Sequence, residues 1–293
     1  MTQTVAHGRE SVHSPPRLRS DAPFFISLAL MGGLYFLLIV GMLLADVSYT
    51  SPSHLLDALR SPPIRYAIWL SLISCSVTTI LSLWVAVPTG YLLSRWQRSG
   101  RFRALRQMID ASLDIPIVLP PLVIGLSLLI LFQTPPGRWI ERQTLHWFGT
   151  PITYAIPSVI IAQFAVAAAF AVRTMRVTFD QLNPRSEQVA LTLGCSRSQA
   201  FFMVVLPEAR RGILTAATLA WARALGEFGP ILVFSGATRM RTEVLPTTVF
   251  LELSVGKIES AVAVSLLMVA CALVVLVIVR VFGSEDFGKG LTP

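Results

Sequence analysis

With 293 residues, 54% of them hydrophobic and only 14% charged, and a mean hydropathy of +0.66, the chain departs from the soluble globular balance and reads as a membrane protein. Its net charge of +8 and pI near 10.1 would suit a nucleic-acid partner, but no basic-aromatic surface motif accompanies them and that class is set aside. Cys75 and Cys271 fall inside apolar runs and Cys195 in a polar loop, which argues against a disulfide framework.

Residues 1–23 read as a polar cytoplasmic tail without hydrophobic periodicity. Uncharged runs follow at 24–45, 66–94, 115–137, 143–172 and 260–279, and a sixth apolar stretch, about 213–236, is broken only by Arg223 and Glu227. Roughly 20 residues of helix cross the hydrocarbon core, so about six transmembrane helices are expected. Continuous apolar runs without period-2 alternation predict helices rather than a barrel, hence an all-α membrane protein. The run at 24–45 is longer than a signal-peptide core and lacks a small-x-small exit, so it is read as an uncleaved first span.

Between spans one and two, SPSHLLDALRSPP predicts a short helix capped by Ser53, stopped by Pro62-Pro63 and lying flat on the outer surface. Span two, 66–93, carries a kink signal at Pro88-Thr89-Gly90. Span three begins near Ile109 and holds Pro116, Pro120 and Pro121, which predict a bent helix. Asp110 and Asp114 at its inner end read as helix N-terminal caps rather than a cation site. Residues 133–152 predict an outer loop rich in turn formers, followed by span four at 153–176 and span five at 213–236. The next outer loop, with RMRTEVLPTTVFLEL, is expected to re-enter or lie along the interface. Span six covers 260–281, and 283–293 form a C-terminal tail.

Arginine clusters in RWQRSGRFRALR (95–106) and around Arg173, Arg176, Arg185, Arg197, Arg210 and Arg211. Placing these segments and both termini in the cytoplasm collects 16 of the 24 Lys/Arg on that side, against seven opposite, with Arg223 inside a span. The positive-inside rule therefore predicts both termini cytoplasmic.

Arg223 and Glu227 are one turn apart on span five and can partly neutralise each other. Ionisable side chains within a span face a protein interior or a water path, so the pair is either a structural ion pair or part of a translocation path. His7, His13, His54 and His146 are scattered without metal-ligand spacing. No G-x-x-x-x-G-K-[S/T] occurs to hold ATP phosphates, and no nucleophile-base constellation suggests catalysis.

The most informative stretch is EQVALTLGCSRSQAFFMVVLP, 187–207, polar and basic between apolar segments. It reads as two short helices meeting near Gly194, a residue able to take positive φ at a helix end. Ala190 leaves room for another surface, and Pro207 can open a new helix. Glu187, Ala190, Gly194, Leu206 and Pro207 resemble the E-A-A-x3-G-x9-I-x-L-P signature of the permease subunits of bacterial ATP-binding-cassette (ABC) importers, with Val189 for one alanine and Val204 for the isoleucine. ARALGEFG (222–229) looks like the fifth-span signature of molybdate, tungstate and sulfate permeases, with Pro230 where that group often has alanine. PTGYLLSRW, DIPIVLPPLVIGLSLLILF and RTEVLPTTVFLEL resemble further stretches of the same group.

The resemblance covers about 66–282, a permease domain of five helices with a coupling loop at 180–212. It implies the type I importer permease fold and a multi-pass, non-enzymatic subunit in the bacterial inner membrane. Its coupling helix would sit in a groove on a separate ABC ATPase subunit. ATP and Mg would be bound by that partner, leaving no cofactor in this chain. Other implied partners are an extracytoplasmic oxyanion-binding protein and a second permease subunit, in a homodimer or heterodimer, within membrane lipid. Molybdate or tungstate is the first expected substrate, with sulfate or thiosulfate next. The alternatives are a permease for another substrate class of the same superfamily, an ion-gradient-driven secondary transporter, or a membrane-embedded enzyme. A secondary transporter would need inverted repeats with matching buried carboxylates, and an enzyme a catalytic cluster; neither is visible in the sequence.

Overall fold

A computed structural model describes residues 22–96 and 103–284. The expectations for the two tails and for the middle of the 95–106 segment lie outside the described residues. No strand occurs among the described residues. The chain divides into residues 1–48 and 49–293.

The first unit contains helix α1, Ala22–Tyr49, apolar on every side, with no buried position in its apolar window. That composition suits lipid rather than water. In the second unit α2, Pro52–Arg60, starts earlier than expected: its N-cap is Ser51, not Ser53. Pro52 takes the first helical position, where a missing N–H is no loss, and the Ser51 and Ser53 hydroxyls bond each other at 2.6 Å. Ser61 ends α2, and Pro62-Pro63 open the next helix instead of closing this one.

The frame is α3, Pro62–Trp96, packed along α7, Ile156–Gln181. Lipid tails supply no hydrophobic drive between helices, so small residues and polar contacts carry the association. Ser74, Cys75, Thr78, Ser82 and Ala86 on α3 and Ala162, Ala167 and Ala171 on α7 are all fully buried. Gln163 is the polar fastener. It accepts from Thr78 Oγ1 at 3.2 Å, and its Nε2 donates to the Ala224 carbonyl at 3.2 Å, tying α3, α7 and the later helix that carries Ala224. Near the end of α3, a Cβ on Gly90 would lie 2.9 Å from both Arg176 N and Met175 Cβ. Backbone cannot yield there as a flexible side chain would. Gly90→Leu is expected to destabilise the purified subunit by about 3 kcal/mol, high in the range for overpacking, read as a lower unfolding midpoint in detergent. An unchanged midpoint would contradict this close approach.

Among the described residues, four unbroken helices are long and apolar enough to span, α1, α3, α7 and a last helix, while two further expected spans are broken. Span three appears as α4, Arg103–Val118, and α5, Pro121–Gln133, bent by 111°. The break falls at Leu119-Pro120, where Pro120 has no N–H to continue the ladder. Span five divides into α11, Arg210–Leu225, and α12, Gly229–Phe234. The two breaks pack on each other. A Cβ on Gly229 would approach Leu122 N to 3.0 Å, and one on Gly125 would approach Pro230 Cα to 2.8 Å.

Two stretches read as loops contain helices. Residues 133–152 hold α6, Pro135–Phe148, because Thr134 caps Gly137 N and prolines are tolerated in a first turn. Residues 238–258 hold α13, Leu245–Ser254, whose Leu245 N–H donates to Ser71 Oγ of α3 at 2.9 Å. α14, Ile258–Ser284, completes the described chain.

The capping role expected of Asp110 and Asp114 is not what the structure shows. Both lie inside α4 and face arginines of α7: Asp110 accepts from Arg176 Nη1 at 2.6 Å, and Asp114 stands 4.0 Å from Arg173. A cross-helix charge contact of this kind leaves no local sequence signal.

Candidate functional site

After α7 the chain turns at Leu182 into α8, Pro184–Thr192. Asn183 caps α8 by accepting from Arg185 N at 3.0 Å, and Pro184 is pre-set for a first turn. Gly194 then adopts φ +92°. Its N–H reaches the Leu191 carbonyl at 3.1 Å, while Cys195 N–H reaches Ala190 O at 3.1 Å, a Schellman ending that requires a left-handed residue. Ser196 starts α9, Arg197–Ala200, with a capping box to Gln199. Residues 187–194 thus form one short helix and its turn, and a second helix follows.

Beyond α9 the helix widens into a π segment, Phe201–Val205, then α10, Leu206–Glu208. Leu206 N–H bonds Phe201 O, a wider ring than the α register gives. This widening lets Pro207, which lacks an N–H, continue toward α11 instead of ending the helix. Leu206 is half-buried and Pro207 exposed.

Of the singled-out residues, Ala190 turns inward and is buried, so it does not present the open surface the sequence suggested. Val189, Leu193, Phe202 and Met203 are the large exposed apolar side chains of this segment, and Arg197 is exposed as well. Counted back from Gly194, the acidic position of the signature falls on exposed Gln188; Glu187 precedes it and points inward. Tyr91 of α3 donates to Glu187 Oε1 at 2.6 Å, and Arg95 Nε lies 2.8 Å from Oε2, a charge contact rather than an aligned hydrogen bond. No local pattern points to these partners, because they lie about 90 residues away on another helix.

Arg223 and Glu227 do meet. Arg223 Nη1 stands 2.7 Å from Glu227 Oε1, at an angle that makes it a charge contact, with the Arg223 guanidinium 5.5 Å over the Phe170 ring. Glu227 is 1% exposed by side chain and Arg223 30%, so the carboxylate is the more deeply desolvated partner. Sequence reading missed Glu243, fully buried in the segment before α13. Burial pushes its carboxyl above the usual carboxylate range, opposed by Thr248 and the charge of Arg239, which itself donates to Glu252 at 2.7 Å. No cluster of three or more metal-ligating side chains forms among the described residues.

The described chain is thus a set of long and broken apolar helices tied by polar contacts, with a two-helix segment between α7 and α11. Residues 86–284 match the family of binding-protein-dependent transport system inner membrane components, and the chain belongs to that family. It is a non-catalytic permease subunit of an ABC importer, located in the inner membrane. The sulfate transport system permease CysT of Salmonella typhimurium is 29% identical over 256 residues, covering 87% of this chain and 89% of that protein. The molybdenum transport system permease ModB of Mycobacterium tuberculosis is 31% identical over 260 residues, 88% of this chain and 93% of that one. A probable molybdenum ABC transporter permease of Haloferax volcanii is 32% identical over 254 residues, 87% of each chain. In fold, the chain is similar to a bacterial ABC transporter that imports alginate, with a TM-score of 0.66 and 19% identity over 90% of this chain and 96% of that one.

Proposed function

We propose that this subunit forms part of the translocation path for a tetrahedral oxyanion, molybdate or tungstate first and sulfate next. The observation that carries the reading is the near full-length likeness to permeases named for sulfate and for molybdenum. An extracytoplasmic binding protein delivers the anion, and a separate ATPase pair binds ATP and Mg. A second permease subunit completes the path. Closing of the ATPase pair pushes on the 187–207 segment, and the spans reorient. Arg223, held between Glu227 and Phe170, belongs in this reading to the frame of the path, its charge already neutralised by a contact at 2.7 Å.

The test is uptake of labelled molybdate into cells expressing the subunit with a binding protein and ATPase of the same transport system, competed by tungstate, sulfate and phosphate. Saturable uptake blocked by tungstate or sulfate and untouched by phosphate is expected. Absence of oxyanion uptake, with transport of an amino acid or sugar instead, would overturn the substrate class.

The orientation proposed places 95–108 and 173–212 in the cytoplasm and 133–152 and 238–258 outside, on the strength of the arginine distribution. Single cysteines at Ser99 and Gln143, in a background without native cysteines, should label from opposite sides. Gly137 is unsuitable for the outer label, because a Cβ there would strike the Leu131 carbonyl. Labelling from one side would refute this topology.

A further inference from the structure

We infer that Tyr91, Arg95 and Glu187 form a clamp that makes α3 move with the coupling segment, so that Tyr91 and Arg95 are positioning residues for coupling. The inference rests on the reading of 187–207 as the element that meets the ATPase. Three observations carry it. Tyr91 and Arg95 are one turn apart on α3 and engage separate oxygens of one carboxylate, at 2.6 and 2.8 Å. The ion pair is well shielded, with Glu187 14% and Arg95 18% exposed by side chain. Both oxygens of Glu187 are thus spent inside the subunit, while its neighbour Gln188 faces out.

The third observation is what surrounds the clamp. The Tyr91 ring packs on Phe201 of the π segment at 4.8 Å and on Phe179 of α7 at 5.6 Å, with the Arg95 guanidinium 5.4 Å over it. Tyr91 therefore touches both halves of the coupling segment, Glu187 before Gly194 and Phe201 after it. A cavity of about 590 Å³ opens between the end of α3 and the α8–α9 segment, with Tyr91, Arg95 and Glu187 themselves in its wall beside Leu92, Leu191 and Phe202. Apolar packing across that gap is incomplete, so the carboxylate contacts of Glu187 add to the Tyr91–Phe201 ring contact in holding α8 to α3. A partly desolvated, doubly engaged carboxylate suits that role, since loss of one partner leaves charge uncompensated. The clamp gives the segment a direct line into the longest span, beside its covalent links to α7 and α11.

The experiment uses the full transporter in proteoliposomes and measures anion taken up per ATP hydrolysed, together with retention of the ATPase on purification. Tyr91→Phe keeps the ring packing and removes only the hydroxyl; a several-fold fall in anion per ATP with ATPase retained is expected. Arg95→Glu sets two carboxylates against each other, and about ten-fold loss of coupling is expected, with substantial recovery when Glu187→Arg is added. Unchanged coupling in Tyr91→Phe and Arg95→Glu, or failure of the swapped pair to recover, would overturn the clamp. Leu193→Asp, on the exposed apolar face, separates the two readings. Loss of the ATPase in Leu193→Asp with normal clamp variants would sink the clamp alone. Retained ATPase and normal uptake in Leu193→Asp would sink the coupling segment itself.

Discussion

Gly194→Asp is expected to abolish uptake, by ten-fold or more, while leaving the subunit in the membrane. At φ +92° an L-residue is strained by about 1–3 kcal/mol, and no neighbour within 4 Å would hold the new side chain in place. The strain is relieved most easily by unwinding the turn, which would release the Cys195 and Gly194 bonds that end α8. Leu193, immediately before it and fully outward, would then lose its place on the apolar face. A Cβ at Gly194 would meet nothing within 4 Å, so membrane insertion should be normal. Normal uptake with a normally retained ATPase would remove the segment from the coupling account.

Arg223→Met is expected to be the most destabilising single change among these residues. It leaves Glu227, 1% exposed, as a buried carboxylate without a counter-charge. Breaking a buried pair from one side costs about 3–5 kcal/mol, which for a chain of this size lowers the unfolding midpoint on the order of 10 °C. Glu227→Gln should cost less, because the Arg223 guanidinium keeps 30% exposure and the Phe170 face. That asymmetry comes from the burial, since the sequence places the two residues on equal terms. Arg223→Met combined with Glu227→Leu should recover most of the midpoint. If it also recovers uptake, the pair is frame. Recovered stability with dead uptake would instead put Arg223 in the path of the anion.

Hydropathy carried most of the fold, because a bilayer demands long runs of apolar helix and the chain supplies them. The breaks were legible too: Pro120-Pro121 and the cluster Gly226, Gly229 and Pro230 are residues that interrupt a helical ladder. What stayed hidden was local order in the segments between. TPPG at 134–137 reads as a turn, yet with Thr134 as cap it opens α6. Similarly, Pro207 reads as a helix boundary, and the π widening before it carries the helix through. The signature at 187–207 singled out the segment proposed to meet the ATPase, but not which of its side chains are exposed. Ala190 and Glu187 turn inward, and Val189, Leu193 and Phe202 turn out. Pairings such as Arg176 with Asp110, Thr78 with Gln163 and Arg95 with Glu187 depend on how distant helices are aligned, and no single-sequence pattern encodes that alignment.

In the proposed function, ATP hydrolysed by a separate subunit drives an oxyanion through this chain. Proteoliposomes holding the permease and its ATPase, supplied with binding protein and labelled molybdate, address it directly when ATP and ion gradients are varied independently. Uptake is expected only with ATP, ATPase and binding protein together, unaffected when proton and sodium gradients are dissipated. Uptake by the permease alone, driven by an ion gradient without ATP, would contradict it.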